Sequence, residues 1–217
     1  MKPIIQALRL FSRERGLWKY ALKPLLWGAL AYVIVVLATA GLGERIGEAV
    51  SGSPIGGLVG GVVGLIVTVV FGGAIYLALV GLISGFGFDA LSREVEERQF
   101  GRSVGQPLSF AAGIGDGIAR LILATVLGLV GLCGAGTVVI PWLVAALLVL
   151  MDATAPSLLR RGVSFGRQFG AARRLPGAWP FAFVSGVIVL VPVLNVLALP
   201  ILVAAGTILV AEGGERA

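Results

Sequence analysis

Four long apolar blocks dominate the pattern of residues along this chain. They cover Leu25–Leu42, Ile55–Phe86, Ile118–Leu150 and Ala178–Ala211. Because the blocks are continuously apolar rather than alternating, they favour membrane helices over membrane strands. A bilayer core needs about 20 helical residues per crossing. The first two blocks therefore predict two long transmembrane helices within residues 25–86.

Each of the last two blocks is interrupted near its middle. Glycines cluster between Gly131 and Gly136 in the third block, and Pro192 lies within the fourth; both features are typical of a turn. We therefore predict two helical hairpins, residues 118–150 and 178–211, each entering and leaving the membrane on one side. Arms of roughly 15 residues reach about 23 Å, less than the ~30 Å core. Partial penetration and full spans both stay open.

Residues 1–24 precede the first block and predict an amphipathic segment at the membrane surface. Ile4, Leu8 and Phe11 fall on one side of a helix that starts at Lys2, and its cations fall mainly on the other. Such a helix lies in the headgroup layer with its cations toward anionic lipid. Membrane lipids are therefore an expected partner.

Gly16 is expected to end this amphipathic helix. Two interpretations of Gly16–Lys23 stay open: a surface anchor with Trp18 and Tyr20 at interfacial depth, and an anion site where two helices meet. A cleaved signal peptide ending at residues 38–40 is disfavoured, because the basic region before the apolar run is unusually long.

Composition excludes several classes of protein. Hydrophobic residues make up 58% of the 217 residues and charged residues only 13%, more apolar surface than one soluble core of this size can bury. The chain has no His and a single Cys, Cys133. The commonest general base and metal ligand is thus missing, and an internal disulfide is excluded. We expect an all-α integral membrane protein, residues 1–217 forming a single membrane domain, with no metal site and no cofactor.

The net charge of +6 is unevenly distributed along the chain. Three polar segments carry most of the cations: Lys2, Arg9, Arg13, Arg15, Lys19 and Lys23; Arg93, Arg98 and Arg102; and Arg160, Arg161, Arg167, Arg173 and Arg174. The loop Glu44–Pro54 holds a single cation, Arg45, against Glu44 and Glu48. The positive-inside rule places the three basic segments, and with them both termini, in the cytoplasm and the loop outside.

A ridge of small residues follows one face of the second block. Its members recur at four-residue spacing: Gly56, Gly60, Gly64, Thr68 and Gly72. Such a ridge lets another helix approach closely. We predict helix packing here, either within the chain or between subunits of a homo-oligomer.

Residues 89–98 predict a helix that emerges into the cytoplasm. Phe88, Leu91 and Val95 share one side of it. Two ion pairs at i,i+4 spacing are predicted on the remaining surface: Arg93 with Glu97, and Glu94 with Arg98. Because cations interleave with the carboxylates, a solvated, salt-bridged face is favoured over acid–base chemistry.

Asp152 and Asn195 are the polar side chains that stand out in the last two blocks. A carboxylate at the end of an apolar arm is costly unless it is paired, and Arg160 or Arg161 is the expected partner of Asp152. Both a structural salt bridge and a permeation or gating role stay open for this pair. The amide of Asn195 could satisfy the carbonyls freed at the Pro192 bend, or contact a ligand.

Four segments, in order along nearly the whole chain, resemble the CysZ-type sulfate permeases, which are grouped with eukaryotic etoposide-induced-protein relatives. The segments are Leu8–Phe11 with Gly16–Tyr20 and Lys23–Leu26; Leu91–Arg98; Asp152 with Arg161–Phe165; and Pro192–Pro200. The resemblance implies an all-helical fold with two long membrane helices and two shorter hairpins that only partly penetrate. It also implies homo-oligomers in the bacterial inner membrane and sulfate uptake for cysteine synthesis.

The same resemblance implies a site for sulfate at the N-terminal turn. In the family, a glycine-leucine-arginine-arginine turn is associated with sulfate binding, which points here to Gly16, Leu17 and Lys19. Trp18 stands where the first arginine would be. Arg15 or Lys23 could supply the missing charge.

Two functions from different classes remain. The leading hypothesis is a passive sulfate or oxyanion permease; the alternative is a non-transporting membrane scaffold that organises lipid or partner proteins. No ATP-binding signature is present, so transport would use an existing gradient or a partner. An enzyme is disfavoured, because Asp116, Asp152 and the Glu94–Glu97 group lie in no catalytic motif. Nucleic acid is not expected as a partner.

Overall fold

The computed structural model describes residues 2–70, 88–106, 109–133, 136–137, 139–190 and 192–214, and its regular structure within them is helical throughout. The helices are α1 (Lys2–Arg13), α2 (Leu17–Ser51), α3 (Pro54–Val70), α4 (helical residues 88–100), α5 (Phe110–Cys133), α6 (Val139–Arg160), α7 (Phe165–Ala172), α8 (Ala178–Val189) and α9 (Pro192–Gly214). The prediction of an all-α membrane protein is confirmed. The chain divides into two compact units, one of residues 25–80 and the other of residues 1–24 and 81–217.

Within the unit of residues 25–80, glycines allow α2 and α3 to pack backbone to backbone. A Cβ atom added to Gly60 would lie 3.0 Å from the Cα of Gly47 and closer still to the carbonyl of Gly43. Gly56 and Gly64 meet α2 in the same way. The predicted ridge therefore packs within the chain at these three positions. The side chain of Thr68 and Gly72 lie outside the described residues.

The loop predicted at Glu44–Pro54 is helical for most of its length, so that prediction is wrong. α2 continues for 35 residues to Ser51, about 52 Å at ~1.5 Å per residue. Gly52 terminates the helix: it has a φ of +61°, and its N–H donates to the carbonyl of Glu48 at 2.8 Å. Glu and Arg are good helix formers, so the charged end of α2 stays helical beyond the apolar block.

In the second unit, α6 is the central helix and packs against α5, α7, α8 and α9. Small residues set its closest approaches: a Cβ on Gly186 of α8 would lie 2.9 Å from that of Ala146, and Gly206 of α9 is similarly close to Ala153. The indole Nε1 of Trp142 also donates to a backbone carbonyl of α8 at 3.1 Å. These contacts create a tightly packed apolar core along α6 and α9.

The amphipathic helix predicted at the N-terminus is present as α1, and its predicted apolar side is divided, with Phe11 buried and Leu8 exposed. α1 packs on α9 through Pro3, Ala7 and Phe11, whereas Leu8 is 49% exposed. The predicted end at Gly16 agrees with the structure, because α1 ends at Arg13 and α2 begins after a short turn.

Both predicted hairpin breaks are present, since α5 ends at Cys133 and α9 begins at Pro192. The arms are not the 15-residue arms that the apolar blocks indicated: α5, α6 and α9 have 24, 22 and 23 residues and α8 has 12. Within the described residues, α2, α5, α6 and α9 contain segments long and apolar enough to cross a membrane. The length argument for partial penetration therefore holds only for α8, at about 18 Å.

Candidate functional site

A buried ion cluster joins α4 to the end of α6. The guanidinium of Arg160, fully buried, donates from Nη1 to Asp89 Oδ1 at 2.9 Å and from Nη2 to Ser92 Oγ at 3.0 Å. Its Nη2 also lies 3.1 Å from Glu96 Oε1. One planar guanidinium with five N–H groups can bridge several acceptors in this way. Arg160 therefore ties three side chains of one helix to another helix.

Glu96 completes this cluster, and its burial corrects the solvated face predicted for α4. Its side chain is 1% exposed and accepts from Ser157 Oγ at 2.7 Å and from Arg161 Nη1 at 2.9 Å. The backbone N–H of Val104 donates to the other carboxylate oxygen at 3.0 Å. Glu96 lies next to the apolar side of α4 and is buried together with it. The two arginines that pair with Glu96 make its buried charge tolerable.

The two ion pairs predicted on α4 have different outcomes. Glu94 and Arg98 are paired at 2.6 Å, as predicted. Arg93 lies 3.6 Å from Asp89 rather than pairing with Glu97. The predicted apolar side is confirmed, since Phe88, Leu91 and Val95 are buried.

A second ion cluster lies between α5, α6 and α7. Arg120 donates from Nε to Asp116 Oδ2 at 2.5 Å and from Nη1 to Asp152 Oδ1 at 2.8 Å. It also donates to the side-chain oxygen of Gln168, whose own amide donates to Asp116 at 3.0 Å. The ring of Phe165 lies 5.7 Å from this guanidinium. The cluster carries two carboxylates and one cation within apolar helices.

Asp152 is paired, as its position requires, but the predicted partner is wrong. Its carboxylate pairs with Arg120 of α5, whereas Arg160 and Arg161 bind the acids of α4. The two helices of the first hairpin run side by side, which brings residues 32 positions apart into contact. Asp152 is also 45% exposed. The side chain of Asn195 lies outside the described residues, so its role stays a prediction.

The predicted anion site is a turn between α1 and α2, where the structure adds a residue that the sequence did not suggest. Leu17 is fully buried and its N–H donates to the carbonyl of Glu14 at 3.0 Å. Lys19 is exposed on the following helical turn, 4.8 Å from the ring of Tyr20. The guanidinium of Arg98 lies beside this turn: a Cβ on Gly16 would be 3.6 Å from its Nη2.

Arg98 binds two carboxylates at this turn. It pairs with Glu14 and with Glu94. The hydrogen bond to Glu94, with the charges of both acids, raises the pKa of Arg98 above its ordinary value. Arg98 therefore stays cationic at any physiological pH, and its guanidinium lies beside Gly16.

The structure thus separates the residues singled out in the sequence. Gly16, Leu17, Lys19 and Lys23 lie within one turn and the start of the helix that follows it, and Lys23 is exposed like Lys19. Arg161 and Asp152 belong to two different ion clusters. Among the described residues, no group of three or more His, Cys, Asp and Glu side chains is arranged to hold a metal ion.

Comparison with known proteins gives one result. The family model described as "Sulfate transporter CysZ/Etoposide-induced protein 2.4" matches residues 4–200, nearly the whole chain. No curated protein and no solved structure matches.

Proposed function

We propose that this chain, which belongs to the sulfate transporter CysZ/etoposide-induced protein 2.4 family, is a passive permease for sulfate or a related oxyanion. The observation that carries the proposal is the family match over residues 4–200. It is supported by the four helices that are long and apolar enough to cross a membrane. The protein would act as a non-enzymatic homo-oligomer in the bacterial inner membrane, with cytoplasmic termini, and supply sulfate for cysteine synthesis.

The turn at Gly16 is the proposed oxyanion site. Gly16 has no side chain to block an approach to the backbone, and Lys19 and Lys23 follow it as exposed cations. Arg98 supplies the guanidinium, which binds a tetrahedral oxyanion through two parallel N–H bonds better than an ammonium does. Leu17 serves this site through its buried side chain, which fixes the start of α2 in the core.

An oxyanion that binds at this turn would have to displace Glu14 from Arg98. Its carboxylate pairs with Arg98 and is 45% exposed, so it can rotate into solvent at small cost. An oxyanion that takes its place on Arg98 keeps the charge-assisted hydrogen bonds of the guanidinium. The carboxylate and the oxyanion would therefore compete for one cation.

Replacing Lys19 or Arg98 by Ala is expected to weaken sulfate binding. Loss of one charged contact worth about 1.4 kcal/mol lowers affinity about tenfold, and we expect the larger loss for Arg98 because a guanidinium binds an oxyanion better than an ammonium does. Isothermal titration of the purified protein with sulfate measures both. Arg174→Ala, which removes one exposed cation elsewhere, is the matched control and should leave affinity within about twofold.

Equal sulfate affinity of the wild-type protein and both variants would show that sulfate does not bind at this turn. An affinity weakened to the same extent in Arg174→Ala as in the two site variants would point to a general charge effect instead of a site. Glu14→Gln provides the converse test. It frees Arg98 from a competing carboxylate, so sulfate affinity should rise.

The scaffold alternative is favoured by one observation, the apolar surface that the protein exposes. On α1, Ile5 and Leu8 are 47% and 49% exposed beside exposed cations, as in a helix that lies on lipid. On the unit of residues 25–80, Leu37 is 67% exposed. A scaffold would bind lipid or partners without moving solute, so a flux measurement separates it from a permease.

A further inference from the structure

The face of α1 that points away from the core is divided into an apolar flank and a cationic flank. Ile5 and Leu8 are 47% and 49% exposed and lie three residues apart, on one flank. Arg9 and Arg13 are exposed and lie four residues apart, on the other flank. Ser12 adjoins the apolar flank, and its hydroxyl donates to the carbonyl of Arg9 at 2.9 Å. The outer face of α1 is therefore amphipathic.

The cationic flank lacks a counter-charge within the part of the chain that the structure describes. The sequence of α1 contains no Asp or Glu. The carboxylates near its two ends already have partners, since Glu212 pairs with Lys2 at 3.4 Å and Glu14 pairs with a cation of α4. The ion pairs of the described residues include neither Arg9 nor Arg13. These two guanidinium groups are therefore open to an anion from outside the chain.

Contacts with the last turn of α9 set the depth of α1. Gln6 donates from Nε2 to Glu212 Oε1 at 3.2 Å, and Lys2 pairs with the same oxygen. Glu212 lies close to the end of Leu197–Gly214, an 18-residue segment apolar enough to cross a membrane. Such a segment measures about 27 Å, close to the ~30 Å of a bilayer core. The first turns of α1 therefore lie at the depth of the lipid headgroups.

An anionic phospholipid fits both flanks at this depth. Its acyl chains provide the apolar surroundings that Ile5 and Leu8 require, and its phosphate accepts hydrogen bonds from a guanidinium. A zwitterionic lipid also carries a phosphate, but its own ammonium cancels the charge. An acidic protein segment would neutralise the arginines, whereas a lipid provides negative charge and apolar chains together where α1 lies. The two flanks therefore favour lipid over protein.

We propose that the outer face of α1 binds anionic phospholipid selectively, with Arg9 and Arg13 on the headgroup and with Ile5 and Leu8 among the acyl chains. A basic residue near an anionic surface favours binding about fivefold. The proposal goes beyond sulfate transport, because it uses neither Lys19 nor Arg98. It is also measured without sulfate, so it stands or falls separately from the proposed permease.

Quenching of a fluorophore on α1 by spin-labelled lipid tests this proposal. The full chain carries Ser12→Cys for labelling and Cys133→Ser to remove the exposed native cysteine, and it is reconstituted in phosphatidylcholine. Spin-labelled phosphatidylglycerol and spin-labelled phosphatidylcholine, which differ only in the headgroup, are added at equal mole fraction. We expect both lipids to quench, with an association constant at least fivefold higher for phosphatidylglycerol.

Two substitutions assign the preference to the cationic flank. Arg9→Gln together with Arg13→Gln should reduce the preference for phosphatidylglycerol to less than twofold, while quenching by phosphatidylcholine persists. Both side chains are exposed, so the fold should be retained, and the unfolding temperature in phosphatidylcholine checks this. Arg174→Gln, which removes an exposed cation from another element, is the matched control and should keep the full preference.

Three results would overturn the proposal. Equal quenching by the two lipids would show that α1 does not distinguish headgroups. A preference that survives in the double variant, or that falls as far in Arg174→Gln, would assign it to the general basic charge of the protein. Absence of quenching by either lipid would show that α1 faces water, where its outer face would be open to a protein partner instead.

Discussion

Replacing Arg160 by Met is expected to destabilise the protein by about 3–5 kcal/mol, because it breaks a buried ion cluster by removing one partner. The side chain of Arg160 is fully buried, and it neutralises Asp89 and Glu96 at distances of 2.9 and 3.1 Å. Met has a similar length, so the change removes charge more than volume. Glu96 keeps Arg161 as a partner, whereas Asp89 keeps only the longer contact to Arg93 among the described residues.

The midpoint of unfolding in a denaturant titration, followed by tryptophan fluorescence, measures this change. Arg167→Met is the matched control, since the side chain of Arg167 is exposed and such changes usually stay within about 0.5 kcal/mol. Adding Asp89→Asn to Arg160→Met should restore part of the lost stability by removing the unpaired charge. Equal midpoints for Arg160→Met and its control would show that the cluster contributes nothing.

Replacing Gly206 by Leu is expected to separate α6 from α9 and to cost stability at or above the upper end of the ~1–3 kcal/mol range for overpacking. The Cβ atom alone would lie 2.9 Å from the Cβ of Ala153 and closer still to its backbone carbonyl. A rigid backbone cannot move aside as a flexible side chain can. Leu202 lies four residues before Gly206, on the same face of α9, and is buried, so a separation of the helices also exposes it.

Gly128→Leu is the matched control for this substitution. An added Cβ at Gly128 of α5 meets no atom within 4 Å, and Leu is a better helix former than Gly. This control should therefore unfold at the same temperature as the wild-type protein or slightly higher. Wild-type stability in Gly206→Leu would mean that α6 and α9 are not packed as closely as described.

Patterns with a local cause were the ones that the sequence predicted well. The break in the third block follows from glycines near Gly131, the end of α1 from Gly16, and the close packing of α3 from a glycine every fourth residue. Each of these features depends on residues that are neighbours along one helix. Local geometry was enough to predict them.

The errors arose where a distant residue or a polar helix end decided the outcome. Asp152 was assigned the nearest cations in sequence, but its partner, Arg120, comes from the other arm of the hairpin. One signal was present: Asp116 and Arg120 stand at i,i+4 spacing beside an apolar block. Because an ionisable side chain in an apolar helix pairs with another, Arg120 was a further candidate partner for Asp152.

The candidate sites also depend on contacts between residues that are distant in the sequence. Glu96 was predicted to be solvated because its neighbours alternate in charge, yet on a helix it lies beside Ser92 and Val95, which are buried. The position of Arg98 beside Gly16 joins residues more than 80 positions apart. No spacing within one helix could reveal it. This contact depends on the packing of α4 against the N-terminal turn, which is a property of the fold.

Uptake of labelled sulfate into proteoliposomes is the measurement that tests the central claim most directly. Wild-type protein, Lys19→Ala, Arg98→Ala and the control Arg174→Ala are reconstituted at equal protein-to-lipid ratio beside protein-free liposomes, with an inward sulfate gradient and no ATP. A passive oxyanion permease predicts saturable uptake in the wild-type protein and in Arg174→Ala, and reduced uptake at low sulfate concentration in the other two variants. Uptake no greater than in protein-free liposomes, from folded and inserted protein, would contradict the permease and favour the membrane scaffold.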